Sequence, residues 1–248
     1  MREHNEYLSV KMFFQIIFLT QAVPYDIINL VKKENIYLSF FRKATLDMEN
    51  KTFNILFVGN SYTYYNQMPQ MAFTQLAEAE GYKVIVASVT RGGYSLSQFA
   101  DPENEEGKRL REVIKGNRYD YAVLQEQSTK PITNEAEFIQ GASDVMDLIC
   151  ADEFILYATW GRNDGCPMLA ELGLSREEMT EKLSAAYNSA GNKLGVRVAE
   201  VGKAFWEYSK CHDKDELYDP DKTHPSALGS EIAARVIFKK IIEHSENT

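Results

Sequence analysis

The chain has 248 residues, enough for one α/β domain with a sizeable core and too few to demand two. With 36 acidic against 27 basic residues the formal net charge is -9, and no stripe of Lys and Arg breaks that balance, which excludes nucleic acid from the expected partners. Its three cysteines, Cys150, Cys166 and Cys211, form no C-x-x-C pair and are too scattered for a disulfide framework, so neither structural zinc nor an oxidising compartment is expected.

Residues 1–50 read as an N-terminal extension without an assigned role. Met12 to Leu19 spells MFFQIIFL, far too short to span a bilayer as a helix, so no integral membrane segment is expected. A secretory signal would need a positive leading region, but Glu3 and Glu6 cancel Arg2 and Lys11, and Thr20-Gln21-Ala22 is a poor cleavage site. The expected location is therefore cytoplasmic, with secretion following only if this run acts as a signal. Two other readings stand beside it: an amphipathic extension, or a working protein that begins at Met48.

Residues 51–248 read as one domain. Asn54 to Gly59 (NILFVG) is a continuous apolar run, as in a strand buried on both faces. Met68 to Glu80 has helical spacing and stops at Gly81. Lys83 to Val89 is a second strand, Asn104 to Lys115 a charged helix, and Tyr119 to Leu124 a third strand. Glu135 to Ile149 is a helix and Glu153 to Thr159 a fourth strand. Ser175 and Glu178 form a capping box that opens a long helix closed by Gly195. Val196 to Val201 is a fifth strand, and a last helix runs from after Pro225 to about His244. Five strands alternating with helices predict a three-layer α/β/α fold around a five-stranded parallel sheet. In such sheets ligands bind at the carboxyl ends of the strands, so the residues just after each strand are the first candidates.

The first strand ends in Gly59-Asn60-Ser61. A serine there can present its hydroxyl at the sheet edge, with the glycine permitting a sharp turn; the bland alternative is a helix N-cap. Serine needs a base, and the base needs a partner that fixes its tautomer. Asp221-Lys222-Thr223-His224 offers both, with Pro225 at a helix start to hold the histidine. The other histidines fit less well: His4 and His244 lie near the termini, and His212 sits in a charged run. Ser95, in Gly93-Tyr94-Ser95-Leu96-Ser97, lacks the final glycine of a nucleophile elbow. Cys211, His212, Asp213, Asp219, Asp221 and His224 can be drawn as a metal site, but their spacing suits neither a closed zinc site nor convergent oxygen ligands. Both nucleotide-binding glycine fingerprints are missing, which disfavours a nucleotide-binding module.

These segments resemble the blocks of the SGNH, or GDSL-like, hydrolases. Gly59-Asn60-Ser61 is similar to the first block, with Asn60 in place of the usual Asp. Arg91-Gly92-Gly93-Tyr94-Ser95 is similar to the second, and Leu124-Gln125-Glu126-Gln127-Ser128 occupies the third. Asp221-Lys222-Thr223-His224 is similar to the last, and the blocks come in family order over residues 54–243. The resemblance implies a flavodoxin-like SGNH topology and a serine esterase. Ser61, Asp221 and His224 would be catalytic, and the oxyanion would be held by the N–H groups of Ser61 and Gly93, with Gly92 the alternative second-block glycine, and by Gln127. The third block lacks its Asn; Gln127 stands there by position, and Asn163, in Gly161-Arg162-Asn163-Asp164 after the fourth strand, is the rival. Tyr62, Gln125, Trp160, Arg162 and Asn163 are substrate-wall candidates. The expected substrate is a small acyl ester, acetyl foremost, with O-acetylated carbohydrates among the candidates, and no metal or organic cofactor is expected. Alternatives are a non-catalytic carbohydrate-binding domain on the same fold and a lipase- or thioesterase-like member.

Overall fold

The computed structural model describes residues 52–245, so the expectations for residues 1–50 fall outside the described residues. Strand β1 (Thr52–Gly59) is followed by the single turn α1 (Ser61–Tyr64), a 3-10 turn (Tyr65–Gln67), a π turn (Pro69–Phe73) and α2 (Thr74–Ala79). β2 (Lys83–Thr90) leads to α3 (Leu96–Ala100) and α4 (Glu105–Ile114), and β3 (Tyr119–Leu124) to α5 (Lys130–Thr133) and α6 (Glu135–Leu148). β4 (Ala151–Ala158) precedes α7 (Pro167–Leu172) and α8 (Arg176–Leu194). β5 (Arg197–Glu200) precedes α9 (Val201–Tyr208), a 3-10 turn (Lys214–Leu217) and α10 (Ala227–Ser245).

The five strands form one sheet in the order β2-β1-β3-β4-β5, every neighbouring pair parallel. This is the flavodoxin-like order, and it reverses direction between β1 and β3, where a crevice opens at the carboxyl edge. Gly59 pairs with Thr90 and Val58 with Leu124, so the segments leaving β1, β2 and β3 emerge side by side.

Alternating side chains divide the core in two. Phe53, Ile55 and Phe57 of β1 pack with Tyr121, Val123, Ile155 and Tyr157 against Phe73 and against Ala233, Ile237 and Ile241 of α10. Leu56 and Val58 face the other way, with Ala122, Leu124 and Leu156, onto Phe99, Phe138, Val145, Leu183 and Tyr187. Because both faces are covered, β1 and β3 read as continuous apolar runs rather than alternating ones. Fully burying one such large side chain is worth about 1.5–3 kcal/mol.

Two predicted boundaries are corrected. The helix expected over Met68 to Glu80 begins as a π turn in which Phe73 N–H reaches the Met68 carbonyl at 2.9 Å. Val201, expected in the fifth strand, opens α9 instead, because Gly202 lies so close to the end of β4 that a Cβ there would fall 2.2 Å from the Thr159 carbonyl oxygen. The capping box at Ser175 and Glu178 and the left-handed Gly195 that ends α8 are both present.

Candidate active site

Ser61 is the first residue of α1, immediately beyond β1, and Asn60 rather than Ser61 is the N-cap, its side chain accepting from Tyr62 N–H at 3.2 Å. With the capping task taken by Asn60, the Ser61 hydroxyl is left to hydrogen-bond His224 Nε2 at 2.8 Å. His224 Nδ1 meets Asp221 Oδ2 at 2.5 Å, so three side chains form one continuous relay. The other Asp221 oxygen accepts the backbone N–H groups of Thr223 and His224, each at 2.9 Å. Burial alone would push the Asp221 carboxyl up; the His224 ring and these two N–H groups together outweigh it and hold the pKa below the ordinary value. Asp221 thus serves as both the turn acceptor and the partner of the imidazole. The turn needs Lys222 at a φ of 62°, a left-handed conformation uncommon for a residue with a Cβ.

What positions Ser61 is a buried polar cluster beneath it. Gln125 Oε1 accepts from Asn60 N–H and from the Thr63 hydroxyl, each at 2.9 Å, and its Nε2 donates to the Glu126 carbonyl. Gly59 makes room for this amide: a Cβ there would lie 2.5 Å from Thr63 Oγ1 and 2.8 Å from Gln125 Oε1. Gly59 is not in the left-handed region, so its contribution is close approach rather than the expected sharp turn. Asn60 Nδ2 donates to the carbonyls of Tyr94 at 3.0 Å and Glu126 at 3.3 Å, tying together the segments that follow β2 and β3.

Those two segments hold the oxyanion candidates. Gly93 has a φ of 76°, which only glycine adopts without strain, and neither its N–H nor that of Ser61 has a hydrogen-bond partner among the described residues. Gln127 uses its Oε1 to accept from Thr129 N–H at 2.8 Å, the Thr129 hydroxyl at 2.9 Å and Lys130 N–H at 3.1 Å, which caps α5. Its NH2 is without a partner among the described residues, so capping fixes the carboxamide and leaves its donors unspent.

Three wall candidates are corrected. Gln125 is wholly buried, with both amide atoms committed to the cluster under Ser61. Trp160 is also wholly buried, stacked between Tyr62 (centroids 4.6 Å) and Phe205 (4.3 Å); its Nε1–H donates to the Thr223 carbonyl at 3.2 Å, so it supports the histidine loop from below. Asn163 is a strut, its Nδ2 on Asp215 Oδ1 at 2.8 Å and its N–H on the Lys222 carbonyl at 2.9 Å, which removes it as an oxyanion rival. Tyr62 is buried too, edge-on to His224 at 5.8 Å, with its hydroxyl beside Ser128 and Arg162 and its pKa pushed up to about 12 by burial. Arg162 is partly buried, donating to the hydroxyls of Thr223 at 2.8 Å and Ser128 at 2.9 Å.

Several residues have roles at the site that their sequence context does not announce. Tyr65 stacks on the His224 ring, and the Asp219 carboxylate near its hydroxyl raises its pKa. Asn66, left-handed at φ 52°, donates to the Pro225 carbonyl at 3.0 Å and Ser230 Oγ at 2.9 Å. The only signal for this turn was Asn66 lying three residues before Pro69. Glu126 is wholly buried and accepts from Leu96 N–H and Gln127 N–H, bracing the segments after β2 and β3 against each other. Burial pushes its pKa up to about 7 despite those two donors. Among the described residues no three His, Cys, Asp or Glu side chains converge on a metal-sized site. His212 instead stacks on Tyr208 at 4.2 Å. No described helix is long and apolar enough to cross a membrane.

Sheet order, layers and strand-end crevice together define the three-layer architecture of SGNH-type hydrolases. A candidate SGNH hydrolase from Slackia heliotrinireducens is 30% identical to this chain, with a TM-score of 0.65, over 77% of this chain and 100% of that one. The chain belongs to the SGNH hydrolase family. A DUF4886 family protein from Bacteroides uniformis shares the fold at 19% identity and a TM-score of 0.65, over 76% of this chain and 82% of that one. A family 3 carbohydrate esterase from Clostridium thermocellum shares it at 13% identity and a TM-score of 0.55, over 76% and 94% respectively. No protein-family model and no curated protein matches the chain.

Proposed function

We propose that this SGNH hydrolase is a serine esterase that cleaves small acyl esters, acetyl foremost, from a hydroxylated alcohol such as a carbohydrate. The observation that carries this reading is the unbroken hydrogen-bonded path from Ser61 through His224 to Asp221. In the first step His224 Nε2 takes the Ser61 proton as the serine oxygen bonds to the ester carbonyl carbon. The resulting oxyanion accepts hydrogen bonds from the N–H groups of Ser61 and Gly93 and from the Gln127 amide. His224 then returns the proton to the departing alcohol oxygen as the carbon–oxygen bond breaks, leaving an acyl-serine. Water, deprotonated by the same imidazole, attacks that acyl group; the carboxylic acid leaves and Ser61 regains its proton. Asp221 keeps Nδ1 protonated and offsets the imidazolium charge. No metal or organic cofactor enters this scheme. Carbohydrate as the alcohol is supported by the polar segments around the crevice and by the carbohydrate esterase among the structural neighbours.

The test is hydrolysis of 4-nitrophenyl acetate by wild type and Ser61→Ala, alongside labelling with a fluorophosphonate probe. Turnover and labelling that both vanish in Ser61→Ala support the reading. A wild-type chain that neither labels nor turns over any acyl ester would instead be a binding domain on this fold.

A further inference from the structure

Arg162 is a cation without a carboxylate counter-ion. No carboxylate lies within 4 Å of its guanidinium among the described residues, and the nearby acids are already engaged. Asp221 serves His224 and Thr223, Asp164 pairs with Lys214 at 3.2 Å, and Asp215 accepts from Asn163. The guanidinium donates to two neutral hydroxyls, Thr223 Oγ1 at 2.8 Å and Ser128 Oγ at 2.9 Å, and has the Cys166 thiol beside it. Among the described residues its Nε is buried without an acceptor, and the buried Tyr62 hydroxyl, which feels the Arg162 charge, has no hydrogen bond of good geometry. Of the five N–H donors of a guanidinium, the hydroxyls use two. A partly buried charge in this condition is costly unless something pairs with it.

Its position gives that unpaired charge a meaning. Thr223 directly precedes His224, and Ser128 directly follows Gln127. The guanidinium therefore bridges the loop that carries the proposed base and the loop that carries an oxyanion candidate, the two segments between which an ester on Ser61 is expected to lie. A neutral side chain would bridge two hydroxyls equally well; an arginine adds a planar fork that matches a carboxylate.

We propose that Arg162 recognises a carboxylate on the substrate, so that the preferred ester is anionic. A carboxylate is favoured over a phosphate dianion because a single guanidinium balances a single negative charge. The inference rests on the esterase reading for its substrate but has its own binding readout. The carboxylate can sit on the alcohol, as in an acetylated uronic acid, or on the acyl group, as in a succinyl ester.

The experiment compares kcat/KM within two matched pairs: acetylated D-glucuronate against acetylated D-glucose, and 4-nitrophenyl succinate against 4-nitrophenyl butyrate. Wild type is expected to prefer the anionic member of one pair by about tenfold or more, as befits a charge-assisted contact. That pair identifies the side bearing the charge. Arg162→Gln should bring the ratio close to one, and Arg162→Lys should restore part of it, which separates lost recognition from a damaged fold. A wild-type ratio of one or less in both pairs overturns the proposal, as does a preference that survives in Arg162→Gln. Binding of D-glucuronate and monomethyl succinate is measured calorimetrically on Ser61→Ala and on the double variant that adds Arg162→Gln. Arg162-dependent binding in these variants, alongside a wild-type chain that turns over no ester, would retire the esterase reading and keep this one. Failure of both anions to bind, or equal binding by the single and double variants, removes this inference even if the esterase reading stands.

Discussion

The phenol ring of Tyr65 lies almost parallel to the imidazole of His224, with 4.4 Å between ring centroids and 12° between planes. Its hydroxyl lies near the Asp219 carboxylate, which raises its pKa, and Asp219 N–H is bonded to the His224 carbonyl at 2.9 Å. The stacking therefore restrains the ring of the proposed base, and the hydroxyl sits close to the residue that holds its backbone. An aromatic pair of this kind is worth about 0.5–1.5 kcal/mol beyond buried area. Tyr65→Ala should accordingly lower kcat/KM for 4-nitrophenyl acetate by about 2- to 10-fold, and Tyr65→Phe by much less. Equal losses in the two variants would place the effect in the Asp219 contact rather than the stacking.

The relay predicts strong non-additivity. If Ser61 and His224 act as one unit, Ser61→Ala and His224→Ala should each remove most turnover, and the double variant should be little worse than either. Single-turnover acylation measured on all three checks this. Losses that multiply would mean that the two residues do not share a step.

Gln127 has two separable tasks. Gln127→Glu keeps an oxygen for Thr129 N–H and Lys130 N–H but removes the amide donors. The melting temperature should stay near wild type while the acylation rate falls by about 10²–10³-fold, the loss that follows removal of one oxyanion donor. A drop in stability with little change in rate would assign Gln127 to capping alone.

Asn60 stands where the family resemblance expects Asp, and the substitution should not be reversible at no cost. Asn60→Asp would set a carboxylate against the carbonyls of Tyr94 and Glu126, which Nδ2 now satisfies. Losing donors to buried acceptors costs about 1–3 kcal/mol. The melting-temperature deficit should be larger at pH 8 than at pH 4, since only the protonated acid can still donate. A stable Asn60→Asp protein at pH 8 would show that this cluster can rearrange.

Glu126 gives stability a pH dependence of known sign. Burial lifts its pKa from 4.5 to about 7, against the pull of Gln127 N–H, Leu96 N–H and Lys130, with Glu137 adding to the rise. The folded state therefore holds this proton over a range where the unfolded chain has lost it. The stability is fully present below pH 4.5 and is lost as the pH climbs to about 7. Glu126→Gln should flatten that part of a denaturant-derived stability curve between pH 4 and 8. An unchanged slope would mean that Glu126 does not hold its proton in the fold.

Much of this architecture was legible in the sequence because its causes are local. Runs such as NILFVG and YDYAVL can only be buried strands, Ser175 and Glu178 announce a helix start, and left-handed Gly195 announces its end. Glycine, serine and histidine at strand ends marked where to look. What failed was the orientation of neighbouring polar residues. Gln125 and Gln127 are two positions apart, yet one is wholly buried under Ser61 and the other is part-exposed at a helix cap. Past the end of a strand the alternation of sides no longer holds, so no periodicity separates them. Trp160 and Asn163 were misread for a similar reason: their partners, Thr223 and Asp215, lie more than fifty residues away. Tyr65 is legible only as one of several aromatics near the strand ends, because its stacking on His224 depends on two successive left-handed residues, Asn66 and Gln67, a conformation that neither residue type announces.

Ser61 and His224 are separated by 163 positions in the chain, and their hydrogen bond joins the end of the first described strand to the loop before the final helix. A ribosome releases Ser61 long before His224, and most of the sheet can assemble while the relay is still open. Nascent or prematurely ended chains would carry a correctly formed serine turn with nothing to activate it. The proposed hydrolytic power would arrive only with the docking of α10, so that catalysis would report that the two ends of this sheet have been brought together.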